Sequence, residues 1–277
     1  MITGSTKLAG VLGWPVAHSR SPLLHNHWLQ QHGIDGAYVP LPARAEDFAA
    51  AVAGLRAAGF RGANVTIPHK EAALAACTKV DALARRAGAV NTLVFDGAAV
   101  IGSNTDGSGF VENLRAHGVD PKAGPALVLG AGGAARAIAA ALMDLGVRVS
   151  FANRSHDRAA ALARSLPGLT ELYWLQRHAA LADHALVVNT TAAGLKNEAP
   201  LDLDFSRAAK GLVVADIVYV PLTTALLKQA SARGLKTVGG LGMLLHQAVP
   251  GFAAWFGVTP EVDQAVHDLM AADIPAG

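Results

Sequence analysis

The sequence predicts an α/β protein of two domains, the first built on a mostly parallel sheet and the second a doubly wound, Rossmann-type sheet. Three observations carry this expectation. Short apolar strand patterns alternate with helical ones, which implies sheets covered by helices. A break rich in Pro and Gly, Asp120-Pro121-Lys122-Ala123-Gly124-Pro125, interrupts the alternation near the middle of the chain. Directly after it a new strand runs into a glycine turn, Gly130-Ala131-Gly132-Gly133, that opens a helix.

In the first part, Leu8 to Leu12 reads as a short buried strand. Ser21 and Pro22 suit the N-cap and first position of a helix that passes through Trp28 and Leu29 and stops at Gly33. Ala37 to Leu41 is a second strand ended by Pro42, and Ala45 to Ala58 an alanine-rich helix closed by Gly59. Gly62 to Ile67 is a third strand, leading into a helix at Pro68. Asn91 to Phe95 and Ala98 to Ile101 flank Asp96-Gly97, a tight-turn pair, so the sheet is expected to end in an antiparallel hairpin. A helix from Asp106 to Gly118 precedes the break.

Beyond it, strands are expected at Ala126–Leu129, Arg148–Ala152, Ala185–Asn189, Val213–Val218 and Lys236–Val238, five in one sheet with helical crossovers. The first crossover helix, Gly133 to Leu145, is stopped by Gly146, and a later one runs from Pro221 to Gly234. Met243 to Phe256 and Pro260 to Met270 read as closing helices.

Bulk composition narrows the function classes. With 52% hydrophobic and 16% charged residues in 277, a substantial core is available and the composition argues against disorder. A net charge of +2 without any basic run argues against nucleic acid. Cys77 is the single cysteine, so neither an internal disulfide nor a thiolate metal cage is available, and its alanine-rich surroundings read as helix core. The eleven histidines match no metal-ligand spacing; the cluster His18, His25, His27 and His32 reads as solvated or capping. No secretory leader or membrane-length apolar run is found, so a cytoplasmic protein with a small-molecule substrate is expected.

The residues that suggest chemistry lie in four places. In Asn64-Val65-Thr66-Ile67-Pro68-His69-Lys70 an apolar strand stops at proline and a cation follows, in the first turn of a helix. The positive end of the helix dipole disfavours an ammonium there, which suits proton transfer better than support. Asn64 and Thr66 share one face of that strand, where buried polar groups need partners that a ligand's hydroxyls could supply. Ser19 and Ser21 share a side of an extended segment beside a helix N-terminus, an arrangement suited to a carboxylate, although Ser21 also reads as a plain cap. Asp106 reads as a cap for the helix beginning at Gly107, a role that leaves room for another.

The glycine turn follows an apolar strand and opens a helix, the context that turns G-x-G-G-x-A into a dinucleotide cradle rather than a structural turn. Gly130 permits the tight turn, Gly132 lets the backbone approach phosphate, and Ala135 allows close packing. After the next strand stands Asn153-Arg154-Ser155 and then Arg158, where an NAD site usually carries an acid. The missing carboxylate and the available guanidinium favour NADP. Asn153 and Ser155 as turn and cap residues are the alternative.

Taken in order, these motifs resemble the shikimate dehydrogenase family along essentially the whole chain. The resemblance rests on Gly13 to Pro22 with Leu24-His25-Asn26, on Asn64 to Lys70, on Gly88-Ala89-Val90-Asn91-Thr92, and on Asn104-Thr105-Asp106-Gly107. It continues through Gly130 to Arg136, Asn153-Arg154-Ser155, Asn189 to Gly194, and Gly240-Leu241-Gly242-Met243-Leu244 with Gln247.

The resemblance implies reversible NADPH-dependent reduction of 3-dehydroshikimate to shikimate, a step toward aromatic amino acids. Lys70 and Asp106 would be the catalytic pair, both touching substrate. Ser19 and Ser21 would hold the carboxylate, and Asn64, Thr66, Asn91 and Gln247 the ring hydroxyls, with Tyr219 nearby. Gly130, Ala131, Gly132, Gly133, Ala134, Asn153, Arg154, Ser155 and Arg158 would hold the adenosine and phosphates of NADP, and Ile217, Gly240 and Met243 would border the nicotinamide. The substrate domain would take residues 1–105 plus 241–277, its closing helices packing back on it, and the NADP domain 106–240. No metal, nucleic acid or membrane is implied, and a homodimer is compatible.

Gly239, Ala192 and His69 depart from the family's usual residues without removing an assigned group. The rivals are a quinate or dual quinate/shikimate dehydrogenase and, from another class, a non-catalytic NADP-binding sensor.

Overall fold

Five consecutive buried residues, Ala9 to Gly13, make Lys7–Gly13 (β1) an inner strand, the near-continuous burial expected of a parallel sheet covered on both faces. Its parallel neighbours are Gly36–Pro42 (β2) and Gly62–Val65 (β3). The computed structural model describes residues 2–195 and 198–277, which divide into two units: Met1–Thr105 with Gln247–Val266, and Asp106–His246 with His267–Gly277. The segment 241–277, expected with the first unit, is therefore shared between the two.

In the first unit, Ser21–Gln31 (α1), Phe48–Ala57 (α2), Lys70–Ala76 (α3) and Ala82–Ala87 (α4) accompany β1–β3, a short strand Lys79–Val80 (β4), and the hairpin Thr92–Asp96 (β5) and Ala99–Ser103 (β6). The sheet order is β2-β1-β3-β5-β6-β4, with β5 antiparallel to β3 and β6 and the other pairs parallel. Gly97 turns the hairpin at φ 56°, a conformation side chains disfavour.

Two expectations need correction here. Ser21 is the first residue of α1, not its cap; Arg20 holds the N-cap position without a side-chain cap, and Pro22 sits where its missing N–H is harmless. His25 is neither solvated nor capping. It is fully buried, stacked on Tyr38 with ring centroids 4.0 Å apart and planes 6° from parallel. Burial holds its imidazole down at about 3, opposed weakly by the nearby Asn64, so it is neutral at ordinary pH. Cys77 lies just past α3, half-buried, its thiol donating to the Ala73 carbonyl at 3.0 Å and pushed up to about 11 by burial.

Leu241–Phe256 (α10) contributes its second half to this unit. The indole N–H of Trp255 donates to the Leu93 carbonyl at 2.9 Å. The ring fills the place a side chain at Gly62 would need, since a Cβ there would come within 2.2 Å of it.

The second unit runs Asp106–Ala116 (α5), Ala126–Leu129 (β7), Gly133–Asp144 (α6), Val149–Ala152 (β8), His156–Ser165 (α7), Thr170–Leu172 (β9), Arg177–Ala180 (α8), Leu186–Asn189 (β10), Val213–Asp216 (β11), Ala225–Ala232 (α9) and Lys236–Val238 (β12), with Gln264–Ala271 (α11) largely in its closing segment. Its sheet is parallel throughout in the order β12-β11-β10-β7-β8-β9. That is the doubly wound order of a dinucleotide fold, reversing between β7 and β10. Six strands replace the expected five because β9, three residues at the edge, pairs with β8. Apolar side chains of β7, β10 and β11, among them Leu127, Leu129, Val187 and Val214, form its core with Leu226 and Leu227 of α9.

Candidate active site

Within the first unit the structure gathers most of the substrate residues expected. Asn64 lies near the end of β3, almost fully buried, and its amide is committed: Nδ2 donates to the Asn91 carbonyl and to Thr92 Oγ1, each at 3.2 Å, while Oδ1 accepts from the Tyr38 hydroxyl at 2.6 Å. Asn91, also buried, accepts at Oδ1 from the Thr105 backbone N–H at 2.9 Å and donates from Nδ2 to Thr105 Oγ1 at 3.0 Å. Thr105 in turn donates to the Gln247 carbonyl at 2.8 Å. Asn64, Asn91 and Gln247 are thereby tied into one hydrogen-bonded set.

Lys70 is the first residue of α3, half-buried, as the Pro68 break predicts. Its carbonyl accepts from the Val90 N–H at 2.9 Å, which brings the start of the helix against the Asn91 strand. His69 beneath it is anchored by a 2.8 Å contact of Nε2 with the Ala43 carbonyl and by stacking on Phe48. Thr66 is half-buried, held by its N–H on the Leu12 carbonyl at 2.9 Å. A side chain at Gly13 would come within 2.4 Å of its methyl. Ser19 accepts from the Ser21 N–H at 3.3 Å, so the two serines are neighbours.

The second unit carries the remaining residues. Asp106 opens α5 and is buried; it is a helical residue, not the cap ahead of Gly107. Gly130 has φ 120°, and a Cβ there would meet Thr190 Oγ1 at 2.5 Å, so only glycine fits. Gly132 is the N-cap of α6 and offers no side-chain cap, and a Cβ at Gly132 or Gly133 would meet nothing within 4 Å. Uncapped first-turn N–H groups beside open space fit a pyrophosphate.

After β8, Asn153 Nδ2 donates to the Ser155 carbonyl at 2.9 Å, and Ser155 caps α7 by accepting from the Arg158 N–H at 3.4 Å. Arg154 and Arg158 are exposed, and no acid stands between β8 and α7. The turn-and-cap reading of Asn153 and Ser155 is thus realised, and it leaves two guanidinium groups at the position where a 2′-phosphate is read. Gly240 approaches Ile217 so closely that a Cβ would lie 2.3 Å from its carbonyl oxygen, which places two expected nicotinamide neighbours together. Met243 is buried, and Tyr219 half-buried.

Sequence reasoning missed Asp216, at the end of β11 just before Ile217. It accepts from Asn189 Nδ2 and the Val218 N–H, each at 3.0 Å, and from Thr224 Oγ1 at 2.8 Å. Burial pushes its carboxyl up to about 6 despite these donors. A carboxyl raised on folding contributes stability below its unfolded value of 3.8 that is lost as pH climbs through about 6. Asp216→Asn is therefore expected to flatten a fall in melting temperature between those pH values. A calorimetric series in which parent and variant keep the same slope would contradict the assignment.

A Rossmann-ordered sheet with an uncapped glycine turn, joined in one chain to a second α/β unit holding a buried polar cluster, defines a dinucleotide-dependent enzyme acting on a small polar molecule. Family models match described as "Shikimate dehydrogenase substrate binding domain" over residues 11–93, "Shikimate / quinate 5-dehydrogenase" over 114–219 and "Shikimate 5'-dehydrogenase C-terminal domain" over 240–265. The shikimate dehydrogenase (NADP(+)) of Acidiphilium cryptum is 66% identical over 274 residues, 99% of both chains, and that of Gluconobacter oxydans 56% identical over 276 residues, again 99% of both. A crystal structure of the Thermus thermophilus shikimate 5-dehydrogenase with NADP(H) and shikimate is 40% identical and superposes with a TM-score of 0.87 over 96% of this chain and 99% of its own. The chain belongs to the shikimate dehydrogenase family. Among the described residues no helix is long and apolar enough to cross a membrane.

Proposed function

We propose that this chain catalyses the reversible NADPH-dependent reduction of 3-dehydroshikimate to shikimate, a step toward aromatic amino acids. The observation that supports the reading is the buried set joining Asn64, Asn91 and the Gln247 backbone, whose members satisfy one another and so hold these polar groups in fixed orientations. Ser19 and Ser21 take the substrate carboxylate; Asn64, Thr66, Asn91 and Gln247 take the ring hydroxyls, and Tyr219 is assigned to the substrate as well. Lys70 gives its proton to the oxygen that gains negative charge as the ketone is reduced, and takes it back in the reverse direction. Asp106 orients that hydroxyl and keeps Lys70 in proton exchange.

NADPH, when bound, supplies the hydride. The second unit, from Asp106 onward, holds it: Gly130 to Ala134 take the pyrophosphate, Asn153, Arg154, Ser155 and Arg158 the adenosine phosphate, and Ile217, Gly240 and Met243 flank the nicotinamide. The first unit, residues 1–105 with 247–266, serves substrate.

Shikimate and quinate assayed side by side with NADP and NAD, followed by nicotinamide absorbance, test the proposal. Shikimate with NADP is expected to exceed each other pairing by about tenfold or more in kcat/KM. Preference for quinate would reject the substrate, and cofactor binding without turnover would favour the sensor. Light scattering tests the homodimer.

A further inference from the structure

The polar set in the first unit has a direction. The Asn91 carbonyl can only accept, which puts Nδ2 of Asn64 on it and turns Oδ1 toward Tyr38; the phenol must then donate. Asn64 also donates to Thr92 Oγ1, and the Thr92 hydroxyl donates to Asn91 Oδ1 at 3.0 Å. The Thr105 backbone N–H can only donate, which pins Asn91 Oδ1 and turns Asn91 Nδ2 to Thr105 Oγ1. The Thr105 hydroxyl ends the run on the Gln247 carbonyl. Every step from Tyr38 to Gln247 passes the donor the same way, the arrangement in which neighbouring hydrogen bonds reinforce one another.

Tyr38 is built to start this run. In the sheet register Ala9 of β1 stands between Tyr38 and Gly62, and its short side chain lets the phenol reach Asn64, two positions further along β3 opposite Val11. Asn26 clamps the Tyr38 backbone from both sides, its Oδ1 accepting the N–H at 3.0 Å and its Nδ2 donating to the carbonyl at 2.8 Å. His25 lies flat against the ring, and the Ser21 side chain stands beside the hydroxyl. Tyr38 is 1% exposed.

We propose that Tyr38 is a positioning residue of the substrate site, fixing the Asn64 amide so that it meets a ligand only as an acceptor. Both protons of that amide are spent on the Asn91 carbonyl and Thr92 and one lone pair on Tyr38, so only Oδ1 has capacity to spare, with the His25 imidazole beside it. Asn64 then reads a ligand hydroxyl as a donor, and the site discriminates against a group unable to give a proton. The inference rests on the proposed substrate.

The test uses Tyr38→Phe, and Thr92→Val, which cuts the same run one step further on. Each is expected to raise the KM for shikimate about tenfold, with kcat changed less than about threefold and the KM for NADP unmoved. The cycle of Tyr38→Phe with Asn64→Ala is expected to be non-additive in that KM. In ligand-free, nitrogen-15-labelled protein the Asn64 side-chain amide protons are expected to exchange about tenfold faster in either variant. Unchanged exchange in both variants would overturn the chain whatever the substrate. Changed exchange with an unmoved KM, or additivity in the cycle, would overturn the positioning role. A parent protein that binds no shikimate would remove the substrate reading while the exchange result stood.

Discussion

Lys70→Ala is expected to fold, to bind NADP as the parent chain does, and to turn over at least about a hundredfold more slowly, the usual contribution of a general acid or base. Ala73 is the buried residue of α3, and the Lys70 backbone is held by its carbonyl on the Val90 N–H, which alanine retains. The loss should fall on kcat more than on the KM for shikimate, because the proton is needed as charge develops on oxygen rather than in the ground state. Steady-state kinetics with NADP titrated by fluorescence separates the two. Turnover within about threefold of the parent would remove Lys70 from the chemistry and return it to a surface cation at a helix start.

Arg154→Ala carries the second large effect: the KM for NADP is expected to rise about tenfold or more while that for NAD moves less than about twofold. The reasoning is local. Arg154 closely follows β8, is exposed, and has no acid beside it between β8 and α7. Ser155 and Asn153 shape the turn through their own hydrogen bonds, so removing the guanidinium leaves the backbone unchanged. An exposed cation is screened, so the difference between parent and variant should shrink as salt is added. Equal losses for both cofactors would assign Arg154 to adenine or ribose rather than to the 2′-phosphate.

Much of the architecture was legible because glycine and proline punctuate it. β7 and β12 match their expected bounds, and Gly146 and Gly97 stop or turn elements through positive φ. The elements overlooked lack such signals. α4 begins at an Asp81 cap inside an alanine-rich stretch with little periodicity, β4 is only two residues long, and β9 has no buried residue. At the site, residue types and motif order were enough to choose Asn64, Lys70 and the Gly130 turn. Tyr38, Thr92 and Thr105 were not, since each acts through a register or a return of the chain that no local pattern encodes. The burial of His25 belongs to the same class: its aromatic neighbours Phe252 and Trp255 come from the far end of the sequence.

That far end has a consequence for how the molecule comes into being. Trp255 seats its indole on the Leu93 carbonyl and over Gly62, inside the sheet of the unit that opens the chain. During synthesis the amino-terminal residues of that unit therefore leave the ribosome without the piece that closes their core, and the second unit waits in turn for its own closing segment, His267–Gly277. The nascent amino-terminal sheet must wait, with the surface that Trp255 covers left open, until translation has passed that residue.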